Sequence, residues 1–337
     1  MMLSARELAR IFFEGESDEA RIVAADTFDE CEHLGAASIA IGVFDGVHRG
    51  HQELIAALVG DARAHDCKAV VVTFDPDPDV VVSPSPAQKL MTTADRLHAL
   101  AQTGGRCGGG RSFRLRLRHV DHCRFSHHCC HASVAVFVRF ALAAILGWVV
   151  AVLLVLTRCA PGVPSAALTY TGTTCFARAV RPFAPPAFVM SWDRGHVELA
   201  AELLGRPYML RGGVIRGRHE GSDMGFPTAN LQVPDGIQVP ADGVYEGLVL
   251  VDDTVWPAAV NVGLPPTYAD DAASSHLEAN LIGYTGDLYG ASVSLAFTRW
   301  LRPSRVFDSL DELIATVEGN IEDIRHNLGE QGVGIRD

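Results

Sequence analysis

A net positive charge is the first thing this chain lacks: 28 Lys and Arg face 40 Asp and Glu, for a formal net charge of −12. General affinity for nucleic acid comes from grouped cations on phosphates, so nucleic acid is not an expected partner. The opening residues hold no unbroken apolar run followed by a small-residue cleavage site, which argues against a secretory leader and for a cytoplasmic protein. No internal repeat is visible. What remains is 48% hydrophobic and 20% charged over 337 residues, the profile of a globular chain long enough for two domains.

The N-terminal part reads as a βαβ unit. Ser38–Phe44 is an apolar run of buried-strand length, and residues 45–50 form a Gly-punctuated turn. From His51 to His65, the residues Leu54, Ile55, Leu58 and Ala62 mark one helix face, and Lys68–Phe74 is a β-branched strand stopped by Asp75-Pro76. Such a unit implies a parallel pair with a right-handed crossover. From Tyr208 onward the pattern turns all-β. Strands are expected at Met209–Ile215, Val244–Val251, Val255–Val262, His276–Tyr284 and Ser292–Leu301, with a hairpin around Asp252, Asp253 and Thr254. Gly and Pro between them suit a small barrel, and a closing helix starts at Asp308 or Ser309.

The most specific stretch repeats glycine every four residues, at Gly213, Gly217, Gly221 and Gly225, then runs Phe226-Pro227-Thr228-Ala229-Asn230. Glycine backbone can approach phosphates closely, while a threonine hydroxyl and an asparagine carbonyl suit Mg²⁺ that carries ATP phosphates. By spacing alone the pattern fits a glycine-rich hairpin equally well. The stretch resembles the signature of riboflavin kinases. Later blocks follow in family order: Gly243-Val244-Tyr245, Asn261-Val262-Gly263 with Pro266-Thr267-Tyr268, Glu278-Ala279-Asn280-Leu281, Gly286 to Gly290, and Leu301-Arg302-Pro303 with Phe307-Asp308. The resemblance covers about 130 residues. It implies a flavin-binding β-barrel with a terminal helix, in which Thr228 and Asn230 hold Mg²⁺ and phosphate. Glu278 would be the general base that takes the ribityl hydroxyl proton as it attacks the γ-phosphorus. One departure stands out: the family has Gly-Arg where this chain has Gly221-Ser222.

Gly42, Phe44, Asp45, Gly46, His48, Gly50 and His51 lie between the first strand and its helix. Two histidines three apart at a helix start can reach phosphate oxygens that the helix N-terminus also attracts; a tight turn with incidental histidines is the bland alternative. The stretch resembles the HxGH-type motif of bacterial bifunctional riboflavin kinase/FAD synthetases, whose nucleotidyltransferase-like, Rossmann-like domain precedes the kinase. Thr73-Phe74-Asp75-Pro76 and Leu90-Met91-Thr92-Thr93 with Arg96 resemble the next blocks, although Asp77 stands where the family has histidine between two prolines. The resemblance makes all seven residues an ATP site for adenylylation of FMN to FAD. The substrates implied are riboflavin, FMN and ATP. Oligomeric state is left open.

Between Gly104 and Trp192 the pattern breaks. This window holds ten arginines, one acid (Asp121) and six of the chain's eight cysteines. Neither the family's Gly-x-x-Phe-x-Phe-Gly loop nor its Ser-Ser-Thr-x-Ile-Arg clamp is present. Translation out of frame explains normal length with alien composition and is the favoured reading. A membrane insertion at Phe140–Leu156, 17 apolar residues, sits at the lower limit for a span, and a zinc site among the Cys and His from His119 to His131 lacks a CxxC framework. The expected organisation is an adenylyltransferase-like part at 1–103, an anomalous segment at 104–192, and a linker helix with the kinase at 193–337. The expected function is riboflavin phosphorylation with impaired FAD synthesis. The competing reading is a membrane-tethered flavin- or nucleotide-binding module without transferase activity.

Overall fold

β-Branched runs and one amphipathic helix build the N-terminal unit. The structure, a computed structural model, describes residues 20–25, 37–106, 112–118, 195–216, 226–263, 277–330 and 332–334. The described residues separate into two compact units, one holding residues 20–118 and the other residues 195–334. In the first, β1 (Ala20–Ala25), β2 (Ala37–Ile41), β3 (Lys68–Asp75) and β4 (Ser112–Arg118) form a parallel sheet in the order β1-β4-β3-β2. Helix α1 (Arg49–Ala64) makes the expected crossover between β2 and β3 and buries Leu54, Ile55, Leu58 and Ala62. These residues pack on Ala40, Val71 and Leu100. Short α2 (Pro78–Val82) and longer α3 (Thr93–Arg106) follow β3.

β4 lies inside the anomalous window. Its sequence, SFRLRLR, alternates apolar and charged residues with the period of a strand, and it pairs with both β1 and β3. The apolar run Phe140–Leu156 and the Cys/His cluster from His119 to His131 lie outside the described residues. Among the described residues no helix is long and apolar enough to cross a membrane, and no group of three or more His, Cys, Asp or Glu could hold a metal ion.

The second unit opens with α4 (Val197–Leu204), which ends on Gly205 in the left-handed region at φ 76°. Six antiparallel strands then close on themselves. They are β5 (Tyr208–Ile215), β6 (Ala229–Gln232), β7 (Gly243–Val251), β8 (Thr254–Val262), β9 (Leu277–Leu281) and β10 (Ser292–Arg302). Their order is β8-β7-β10-β5-β6-β9, with a β8–β9 pairing that completes the barrel. The hairpin falls where expected, with Asp252 at φ 50° in its two-residue turn. Closure leaves no free edge along most of the sheet, and the short β11 (Val333–Gly334) covers part of β8.

Helix α5 (Leu310–Leu328) follows. Ser309 is its N-cap, and its hydroxyl accepts from the Glu312 amide at 3.2 Å. Ile321 and Ile324 bury this helix against Ile282. A buried carboxylate also ties it down. Glu246 on β7 is 1% exposed and accepts hydrogen bonds from Thr298, Arg299 and Asn327, of which Asn327 belongs to α5.

Candidate functional site

Strand register decides which side chains of the barrel can act together. Directly opposed residues of antiparallel strands point to the same face, with Cβ atoms ~5 Å apart. Asn230 on β6 is paired with Glu278 on β9, and Glu278 is paired on its other side with Asn261 on β8. The burial pattern fixes the face: Ala229, Leu231, Leu277, Ala279, Val260 and Val262 are buried, while Asn230, Glu278 and Asn261 between them are half-buried. The three polar residues therefore form one row on the outside of the barrel wall. Thr228 lies two residues before Asn230, on the chain that enters β6. That entry is pinned, because the Asn280 amide donates to the Pro227 carbonyl at 2.8 Å.

Thr228, Asn230 and Glu278 are thus brought together. Gly213 pairs with Gln232 and faces open space. Its neighbour Gly212 is the one packed tightly, since a Cβ there would meet the Gln232 carbonyl at 2.8 Å. Gly217, Gly221 and Gly225 lie outside the described residues. The chain ends that border them, Ile215 on β5 and Phe226 before β6, sit at the end of the barrel that carries the polar row. Sequence reasoning quoted Asn261 and Asn280 within family blocks but gave them no part. Register supplies what was missing, because one flanks Glu278 and the other anchors the threonine segment.

In the first unit, β2 stops at Ile41 because the backbone turns. The Gly42 amide still reaches the Val72 carbonyl at 3.1 Å. Phe44, Gly46 and Val47 then take left-handed conformations at φ 56°, 71° and 40°. This sharp turn delivers His48 as N-cap of α1, where its Nδ1 accepts the His51 amide proton at 3.3 Å. A neutral His48 therefore carries its ring proton on Nε2. The rings of His48 and His51 stack at 3.6 Å, and Phe44 meets His51 edge-on at 5.2 Å. Gly50 leaves room for this stack, since a Cβ there would crowd the His48 ring at 3.2 Å.

His51 is only 5% exposed and its Nδ1 has no partner. Burial, aided by His48, pushes its pKa from 6.5 down to about 3, so it is neutral at physiological pH. Asp45 turns away from the stack. Its carboxylate accepts the Leu90 amide through both oxygens, at 2.9 and 3.1 Å, and burial raises its pKa. All seven turn residues named from sequence are within one segment. A half-buried imidazole at a helix N-terminus, next to glycine, suits an anionic phosphate.

Comparison with known proteins agrees with both halves. A riboflavin kinase family model matches residues 204–328, and an FAD synthetase family model matches residues 31–138. The second match runs past residue 103, where motif resemblance ends, and includes β4. A bifunctional riboflavin kinase/FMN adenylyltransferase of Pseudomonas fluorescens is 29% identical over 301 residues, covering 86% of this chain and 92% of that protein. A human riboflavin kinase is 37% identical over 130 residues, which is 36% of this chain and 81% of the relative. A solved structure from Streptococcus pneumoniae, described as a macrolide-efflux protein, shares the fold with a TM-score of 0.64 at 23% identity, over 90% of this chain and 98% of that one.

Proposed function

The chain belongs to the bifunctional riboflavin kinase/FMN adenylyltransferase family, and from that membership we propose that its barrel phosphorylates riboflavin to FMN while its parallel-sheet unit adenylylates FMN to FAD at a reduced rate. The observation that carries the kinase reading is the row Asn230–Glu278–Asn261 beside Thr228. Glu278 is the one carboxylate in that row. It accepts the proton of the ribityl 5′-hydroxyl while the oxygen attacks the γ-phosphorus and ADP leaves. Asn230 and Asn261 flank it and hold it by position.

Thr228 and Asn230 offer a hydroxyl and an amide oxygen, hard donors that fit Mg²⁺. Mg²⁺ bound through phosphates and water needs few protein ligands, so two suffice. When bound, it neutralises phosphate charge. The protein's own share is to place Thr228 through the Asn280–Pro227 hydrogen bond. In the parallel-sheet unit, His48 donates from Nε2 to ATP phosphates at the α1 N-terminus, and neutral His51 supports it by stacking. The FMN phosphate attacks the α-phosphorus and pyrophosphate leaves. The rate is reduced because neither the family's later flavin loop nor its phosphate clamp appears between residues 104 and 192. The proposed substrates are the small molecules riboflavin, FMN and ATP, the proposed location is the cytoplasm, and no described helix favours the membrane-tethered alternative.

Incubation with riboflavin and Mg·ATP, followed by chromatographic separation of flavins, tests the proposal. FMN should accumulate, with FAD forming slowly even from supplied FMN. Riboflavin binding without FMN formation refutes the kinase reading; fast FAD turnover refutes the reduced rate.

A further inference from the structure

One cluster in the parallel-sheet unit is used neither by the fold's core nor by the proposed chemistry. Asp77 follows β3 between two prolines and is 6% exposed, and Arg96 on α3 is 1% exposed. Charges this deep persist only when paired. Arg96 Nη1 lies 2.8 Å from Asp77, and its Nη2 donates to the Phe74 carbonyl at 2.6 Å. Lys89 Nζ lies 3.5 Å from the same Asp77 carboxylate and 2.6 Å from Asp79. Asp77 is therefore ion-paired with Arg96 and within ion-pair distance of Lys89, whose hydrogen bond goes to Asp79; these cations are six and one residues from Leu90 on the chain that leads into α3.

Leu90 lies between the two cations in sequence, and its amide is the one that both oxygens of Asp45 accept. Asp45 in turn lies between Phe44 and Gly46, in the left-handed stretch that delivers His48 and His51. A continuous path of contacts runs from Asp77 through Lys89 and Arg96 to Leu90, then to Asp45 and the turn. The hydroxyl of Thr93 adds a second tie, donating to Asp75 at 3.3 Å. The guanidinium Nε of Arg96 is buried without a hydrogen-bond partner, and the Asp45 carboxylate also attracts this cation.

We propose that Asp77 is a positioning residue of the nucleotidyl-transfer turn, holding the Leu90 amide on Asp45 through Arg96 and Lys89 and so fixing the backbone that presents His48 and His51. The assignment rests on the adenylyltransferase reading of this unit. Asp77 does not touch nucleotide itself. Its loss acts on how tightly the turn holds ATP, not on the bond-making step.

The test uses full-length protein carrying Asp77→Asn, which keeps shape and removes the charge. Hydrogen exchange at the Leu90 amide should quicken at least tenfold while the β3 amides stay protected. In FMN adenylylation the KM for ATP should rise about tenfold with kcat within a factor of two, and Asp77→Glu should recover most of the loss. Riboflavin phosphorylation, carried by the other unit, should not change. Unaltered Leu90 exchange, or an unaltered KM for ATP, overturns the proposal. If Asp77→Asn strips protection from the whole unit, the double variant Asp77→Asn with Arg96→Met removes both buried charges and restores β3 protection. Leu90 must still exchange fast in that variant, and slow exchange there overturns the proposal. Should wild-type protein make no FAD, the adenylyltransferase reading fails by itself, and the Leu90 exchange still decides whether Asp77 fixes the turn.

Discussion

Lowering the pH should weaken the parallel-sheet unit through His51, and the size of the effect follows from its burial. The folded-state pKa is about 3, against 6.5 for an exposed imidazole. Between those values the unfolded chain binds a proton that the folded one refuses. Stability contributed by this group is therefore unaffected above pH 6.5 and falls as pH drops from 6.5 toward 3. The full shift corresponds to about 5 kcal/mol, of which about 2 kcal/mol is already lost at pH 5. His51→Gln removes the titrating group and leaves a polar side chain whose burial cost does not vary with pH. A chain of two compact units need not unfold in one transition, so a probe local to this unit is required. The assay is a urea titration read by pulsed hydrogen exchange on α1 peptides, at pH 8 and pH 5. Wild type should lose about 2 kcal/mol more than His51→Gln between the two conditions. Equal losses would falsify the claim that His51 is buried and neutral.

Two further outcomes concern the barrel. Glu246→Gln faces the donors of Arg299 and Asn327 with an amide that cannot accept at both positions, and it leaves Arg299 with only the exposed Asp323. With Arg299 a third exposed, the loss should be about 2–3 kcal/mol, read by urea unfolding through Trp256 and Trp300 fluorescence; a change under about 0.5 kcal/mol would show that the cluster adds nothing. Gly243→Ala places a Cβ 2.3 Å from the Trp300 ring and 2.9 Å from the Arg302 carbonyl. It should cost about 1–3 kcal/mol by overpacking in the same titration, and a neutral result would mean that Trp300 packs elsewhere.

Long periodic segments were legible in the sequence. The crossover of α1 between β2 and β3 and five of the six barrel strands lie where apolar periodicity places them, with ends displaced by at most three residues. β2 ends at Ile41 and not at Phe44 because Phe44 is left-handed, which no apolar pattern reveals. β6 escaped because Ala229–Gln232 is four residues long and overlaps a motif read for its chemistry. β4 escaped because the composition around it signals a break. Of the site, residue types were legible and pairing was not. Asn230, Glu278 and Asn261 are separated by a loop or more in sequence, and only register makes them neighbours. Asp45 was read as one of the ATP-site residues, and no pattern shows that its carboxylate accepts the Leu90 amide, a contact 45 residues away. Asp77 showed only as a mismatch with the family pattern, since a buried partner such as Arg96 is invisible until the chain folds.

The most direct measurement is steady-state phosphorylation of riboflavin by wild-type protein and Glu278→Gln, with riboflavin affinity determined separately for each. Removal of a general base predicts a fall in kcat of about 10²–10⁴-fold with flavin affinity retained. A variant that turns over at the wild-type rate would mean that the carboxylate between Asn230 and Asn261 takes no proton from the attacking hydroxyl.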